Sequence, residues 1–159
     1  MRLRPDYNLK DIYEIDLEEL KSKGIKLILF DLDSTLMVSK SCKYLPETVE
    51  WLDRVKQEFK IAVVSNNNRG EYIDKVKSIS DFDVLGSCAK PDIKIAKKYI
   101  SDCGLGVNEC AIVGDRPLTD ILCGKRLGCM TILVGSINAE NENIPTRFVR
   151  WLERLTIKK

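Results

Sequence analysis

Five short, almost uninterrupted apolar runs punctuate the chain: Ile25–Phe30, Lys60–Val64, Phe82–Leu85, Cys110–Val113 and Met130–Val134. Between them the apolar residues recur at helical spacing, over about 46–59, 70–79, 92–102 and 117–127, with a further helical stretch near 11–22 that Gly24 can end. Pro46 suits the first turn of its helix, and Val49, Leu52, Val55 and Phe59 follow as its expected inner stripe. Strands apolar on both sides and separated by helices need cover on both faces. The expectation is an α/β chain: a three-layer α/β/α sandwich around a mainly parallel, five-stranded sheet. No linker, internal repeat or low-complexity stretch interrupts residues 1–159, so a single domain is expected.

Open parallel sheets bind ligands beyond the carboxyl ends of their strands. Those positions are polar here in a consistent way. Asp31-Leu-Asp33-Ser-Thr35 follows the first strand, and Ser65-Asn66-Asn67 the second. Lys90-Pro91 precedes the helix at 92–102, and Gly114-Asp115 with Asp120 follows the fourth strand. Four clusters therefore converge on one rim.

Histidine is absent from the whole chain. That excludes Ser-His-Asp and Cys-His catalysis, phosphohistidine chemistry and imidazole zinc sites. The rim offers carboxylates instead. Asp31 and Asp33, two apart on an extended segment, can face the same side. Paired carboxylates repel unless a cation or proton relieves them, and an all-oxygen set suits a hard ion such as Mg²⁺. Ser65 and Asn66 stand where a hydroxyl and helix-terminal N–H groups cradle an anion, and Lys90 supplies positive charge for a phosphoryl group. Taken singly, the Asp31–Asp33 pair also reads as a turn or helix cap, Ser65-Asn66 as a helix cap, and Lys90 as a solvated lysine.

Asp31-Leu-Asp33-Ser-Thr35, Ser65-Asn66-Asn67, Lys90-Pro91 and Gly114-Asp115-(four residues)-Asp120 resemble the four ordered motifs of the haloacid dehalogenase (HAD) superfamily. Val113-Gly-Asp-Arg-Pro-Leu-Thr-Asp120, Gly124-Lys-Arg-Leu-Gly128 and Thr131-Ile-Leu-Val134 are similar to the YqeG-type phosphatases of subfamily IIIA, relatives of phosphatidylglycerophosphate phosphatases. The resemblance implies a Rossmann-like HAD fold and a Mg²⁺-dependent phosphatase working through an aspartyl-phosphate. It makes Asp31 the nucleophile and Asp33 the acid–base. It implies that Ser65, the Asn66 backbone and Lys90 bind the phosphoryl group. The metal would be held by Asp31, the carbonyl of Asp33 and Asp115, with Asp120 a ligand or a partner behind them. Ser34 departs from the Asn often found at its position in YqeG-type sequences, and Arg116-Pro117 lies where they vary.

Only a short loop separates Leu36 from Pro46, and residues 67–90 are filled by core elements, so no cap domain is expected. An open site admits a bulky phosphorylated substrate, with phosphatidylglycerophosphate the named expectation. The alternatives are a soluble phosphorylated metabolite or nucleotide, under cover of a neighbouring subunit in an oligomer, and a non-catalytic scaffold retaining the fold. The C-terminal residues bear on this choice. Phe148, Trp151, Leu152 and Leu155 form an apolar helical stripe beside Arg147, Arg150 and Arg154, with Lys158 and Lys159 beyond. Such a stripe more often packs on a core, and that is the expectation. The alternative is a peripheral contact with an anionic membrane.

A net charge of +2 gives no reason to expect nucleic acid as a partner. The six cysteines form no CxxC pair and read as buried thiols in a reducing compartment. With no signal-peptide pattern after Met1 and no apolar run near membrane-spanning length, a cytoplasmic location, peripheral to the membrane at most, is expected.

Overall fold

The computed structural model describes residues 3–137 and 142–157. Lys158 and Lys159 of the basic tail, and Met1, lie outside the described residues.

The chain runs β1 (Tyr7–Asn8), a 3₁₀ turn (Ile12–Glu14), α1 (Leu17–Ser22), β2 (Leu27–Phe30), α2 (Pro46–Lys56), β3 (Lys60–Val64) and α3 (Gly70–Ser78). It continues through β4 (Asp83–Leu85), α4 (Lys94–Asp102), β5 (Cys110–Gly114), a π-helical turn (Pro117–Ile121), α5 (Leu122–Leu127), β6 (Met130–Leu133) and α6 (Ile144–Arg154). The strands pair in parallel in the order β1-β6-β5-β2-β3-β4. The α/β, Rossmann-like sandwich is thus as expected, with six strands instead of five. The added strand, β1, is only two residues long and sits in a polar segment, so no apolar run marks it. It is held from the side: Asp6 Oδ2 accepts from Thr131 N at 2.7 Å and from Thr131 Oγ1 at 2.9 Å.

Strand alternation divides the core. Ile28, Phe30, Ile61, Val63, Ala111 and Val113 face one way, against Leu20 of α1, Trp51, Leu52 and Val55 of α2, and Ile73 and Val76 of α3. Leu27, Leu29, Ala62, Val64, Cys110 and Ile112 face the other, against Ala96 and Ile100 of α4 and Cys123 and Leu127 of α5. Gly124 lets α5 sit close on the sheet, since a Cβ there would collide with Ile112 and Thr131.

Three expectations need correction. The helical stretch near 11–22 is a 3₁₀ turn followed by a short helix, each started by its own aspartate cap, Asp11 and Asp16. Val49 faces solvent, while Trp51 turns inward and packs edge-on against Phe30 with centroids 5.9 Å apart. The largest difference is in α6. Its apolar stripe does not enter the core: Phe148, Trp151, Leu152 and Leu155 are all exposed, and the buried residue of the helix is Glu153.

Residues 33–45, after β2, make two isolated bridges, Asp33 with Met37 and Met37 with Tyr44. This small flap stands where a cap domain would be inserted. Among the described residues, no helix is long and apolar enough to cross a membrane.

Candidate active site

β2 is central, and the crossovers leave it in opposite directions, through α2 to β3 and through later elements to β5. The crevice at such a reversal lies over the carboxyl ends of β2 and β5, and Asp31 and Asp115 stand immediately after those strands. Asp31 N donates to Val113 O at 2.9 Å, extending the ladder by one bond and fixing its direction.

Lys90 is buried and lies between two carboxylates. Its Nζ is 2.8 Å from Asp31 Oδ1 and 2.6 Å from Asp120 Oδ1. Burial alone would lower the lysine pKa, but Asp120 and Asp31 outweigh it and hold Lys90 above its usual range. Burial and the charge of Asp31 push Asp120 up to about 6, against the opposing pull of Lys90. The other oxygen of Asp120 accepts from Arg116 N at 3.1 Å. Asp120 reaches this position because position 114 is glycine: a Cβ there would collide with the Asp120 carboxyl group. The π-helical turn carries the side chain inward, with Ile121 N donating back five residues to Arg116 O at 3.4 Å.

One carboxylate oxygen from each of Asp31, Asp115 and Asp120 lies within 4.8 Å of the other two. Thr35 Oγ1 sits between two of these acids, 3.0 Å from Asp115 Oδ1 and 3.3 Å from Asp31 Oδ2, with one proton to give. Such an all-oxygen, net-acidic group fits a hard divalent cation.

Asp33 stands apart from this cluster. Its Oδ1 accepts from the Tyr72 hydroxyl at 2.6 Å and from Lys40 N at 3.1 Å. Ser65 is buried at the end of β3, and its Oγ accepts from Asn67 N at 3.1 Å, leaving its own proton to donate. The Asn66 side chain grips the Lys90 peptide. Its Oδ1 accepts from Lys90 N at 2.6 Å, and its Nδ2 donates to Lys90 O at 2.9 Å. The expected residues thus form two groups, Asp31–Lys90–Asp115–Asp120 and Ser65–Asn66, joined through Lys90, with Asp33 at the flap.

Three participants were not singled out in the sequence. Tyr72 comes from α3, and nothing but its hydroxyl distinguishes it there. Thr35 lies within a motif whose acids drew the attention. Arg150 was read as part of a basic stripe, yet its guanidinium donates to Asp115 Oδ2, and its Nε lies 2.8 Å from Glu142 Oε2. Arg116 and Glu153 form a second tie to α6, a two-pronged pair at 3.0 and 3.2 Å. The pair Lys125-Arg126 is occupied elsewhere: Lys125 is 3.1 Å from Asp6, and Arg126 donates to Pro91 O at 3.3 Å.

Known proteins resemble this chain. The chain is 34% identical over 154 residues to the probable phosphatase YqeG of Bacillus subtilis, covering 94% of this chain and 87% of that protein. It is 34% identical over 164 residues to phosphatidylglycerophosphate phosphatase 1, chloroplastic/mitochondrial, of Arabidopsis thaliana. That match covers 98% of this chain but 47% of the plant protein, so the chain spans about half of this relative's length. Among solved structures, D,D-heptose 1,7-bisphosphate phosphatase from B. bronchiseptica, complexed with magnesium and phosphate, matches with a TM-score of 0.61. The match covers 72% of this chain and 83% of that one at 15% identity, and speaks to the fold alone. The model of the family described as mitochondrial PGP phosphatase matches residues 1–137. With its four clusters on one rim of a HAD-like sheet, the chain belongs to this family of phosphatases.

Proposed function

We infer that the chain, acting as one domain, hydrolyses the terminal phosphomonoester of phosphatidylglycerophosphate through an aspartyl-phosphate on Asp31. The observation that carries the reading is Lys90, buried between Asp31 and Asp120 beside Asp115. A lysine so held steadies one carboxylate for attack and offers charge to the phosphoryl oxygens.

Asp31 attacks phosphorus with a carboxylate oxygen, and the bond from phosphorus to the leaving oxygen breaks. Asp33, held by Tyr72 at the flap, gives that oxygen a proton. In the second step Asp33 takes a proton from water as the water oxygen attacks phosphorus. The bond to Asp31 breaks, inorganic phosphate leaves, and both aspartates regain their starting states. Ser65 and the Asn66 N–H bind phosphoryl oxygens, and the Asn66 side chain keeps Lys90 in place. Asp31, Asp115 and the Asp33 carbonyl would hold Mg²⁺, with Asp120 behind them anchoring Lys90. Once bound, the ion offsets repulsion between carboxylates and phosphate and stabilises charge on the transferring group.

The lipid substrate is supported by the name of the Arabidopsis relative and by the small size of the flap at the end of β2, which among the described residues makes only two isolated bridges. The test is a phosphomonoester panel with Mg²⁺ that includes phosphatidylglycerophosphate in mixed micelles, with Asp31→Asn as control. The reading expects the lipid to be turned over fastest and the variant to be inactive. Rapid turnover of a soluble phosphate beside indifference to the lipid overturns the substrate. Equal activity of wild type and Asp31→Asn overturns the mechanism.

A further inference from the structure

We propose that α6 is a docking element, seated by its outward apolar face on an anionic lipid surface while its inward face is tied to Asp115 and Arg116 at the carboxylate cluster. The helix is inverted relative to ordinary packing. At 100° per residue, Ile144, Phe148, Trp151, Leu152 and Leu155 fall on one side, and Arg150 and Glu153 on the other. A helix serving only the fold would turn the first set inward. Here Ile144 is 81% exposed and Leu155 58%, whereas Glu153 is 4% exposed. The inward polar side is fixed by two ion pairs, Arg116–Glu153 and Arg150–Asp115, so the outward display of the apolar side is set by specific contacts.

Charge decides the occupant. Glu153 is consumed by Arg116, which leaves Arg147 and Arg154, both exposed, side by side along one edge of the apolar stripe with no exposed acid on the helix. Phe148 and Trp151 stack with centroids 5.8 Å apart, forming one aromatic plate beside that arginine edge. An aromatic and aliphatic face edged by arginine suits the headgroup boundary of an anionic bilayer. The placement also makes sense for chemistry. Arg150 touches Asp115 and also lines a groove of about 540 Å³ with Lys10, Arg147, Trp151 and Arg154, the acid in its lining being Glu142, which Arg150 pairs. A bilayer against the outer face would lie about one helix diameter, roughly 10 Å, from the carboxylates, with a cationic groove between. Delivery of a lipid phosphate along that groove rests on the proposed function; the docking face does not.

The experiment uses the full chain and vesicles without any phosphomonoester, so that docking is read apart from catalysis. Vesicles of equal parts phosphatidylglycerol and phosphatidylcholine are compared with phosphatidylcholine alone, by co-sedimentation and tryptophan emission. Trp51 is buried, so a lipid-dependent blue shift reports Trp151. Binding and a blue shift are expected on the anionic vesicles, and at least tenfold weaker binding on the neutral ones. The combined variant Ile144→Ser, Phe148→Ser, Leu155→Ser should lose anionic binding by a similar factor. It should keep the wild-type melting temperature and turnover of a soluble phosphomonoester. Wild type that ignores anionic vesicles, or a variant that binds them undiminished, overturns the proposal. A dimer abolished by the variant and undisturbed by vesicles also overturns it, and assigns the face to a second copy of the chain.

Discussion

The Tyr72 hydroxyl donates to Asp33 Oδ1 at 2.6 Å, tying α3 to the carboxylate that follows β2. A second donor, Lys40 N at 3.1 Å, reaches the same oxygen from the flap. Tyr72→Phe keeps the ring and removes the stronger contact. A hydrogen bond to a charged group contributes about 1.5–3 kcal/mol, and only part of that should reach the transition state. The expected result is a fall in kcat of roughly tenfold, with KM little changed. Steady-state kinetics at saturating Mg²⁺ check it. An unchanged kcat contradicts this role for Tyr72.

Arg150 should compete with a cation for Asp115. Removing one positive charge from this partly buried site is worth roughly 1–2 kcal/mol. Arg150→Gln is therefore expected to bind Mn²⁺ about tenfold more tightly in the absence of lipid and substrate. Titration followed by the Mn²⁺ paramagnetic resonance signal reads this without catalysis. Weaker Mn²⁺ binding would mean that Arg150 helps to build the site.

Gly114→Ala tests the close approach of Asp120 to β5. In an ordinary strand the exchange stabilises by a few tenths to about 1 kcal/mol. Here the new Cβ would collide with the Asp120 carboxyl, so the sign should reverse, to a loss of about 1–3 kcal/mol. Urea denaturation gives the sign directly. Activity should fall as well, because Asp120 would move off Lys90.

The thiols should divide by burial. Cys88, Cys110, Cys123 and Cys129 are buried, and Cys42 and Cys103 are partly exposed. Burial pushes the Cys123 thiol up to about 11 and raises Cys88 as well. Iodoacetamide near neutral pH is expected to modify only Cys42 and Cys103 in the native protein, and all six after denaturation. Peptide mass spectrometry reads each position.

The core of the sheet and its rim were legible because β2, β3 and β5 are nearly continuous apolar runs, each ending in a polar cluster. Asp31, Ser65 and Asp115 each follow from that local pattern. β1 was not legible, being two residues whose pairing is fixed by Thr131, more than a hundred positions away. The partner of Asp33 was hidden for a related reason. Tyr72 lies 39 residues from it, and only the packing of α3 beside the flap brings them together. α6 was legible as an amphipathic helix, but periodicity cannot say which side turns inward. That orientation is set by Arg116–Glu153 and Arg150–Asp115, pairs that no local pattern announces.

The account stands on Asp31 as the group that carries the phosphoryl intermediate. With an aryl phosphomonoester, whose leaving oxygen departs without a proton in the first step, Asp33→Asn should slow chiefly the second step and so let the intermediate accumulate. Rapid mixing of this variant with substrate, followed by borohydride reduction and peptide mass spectrometry, is the most direct test. Reduction of an acyl phosphate would leave homoserine at position 31, and Asp31→Asn should abolish that product. A variant that turns over substrate while position 31 stays unreduced in every time point would contradict the account.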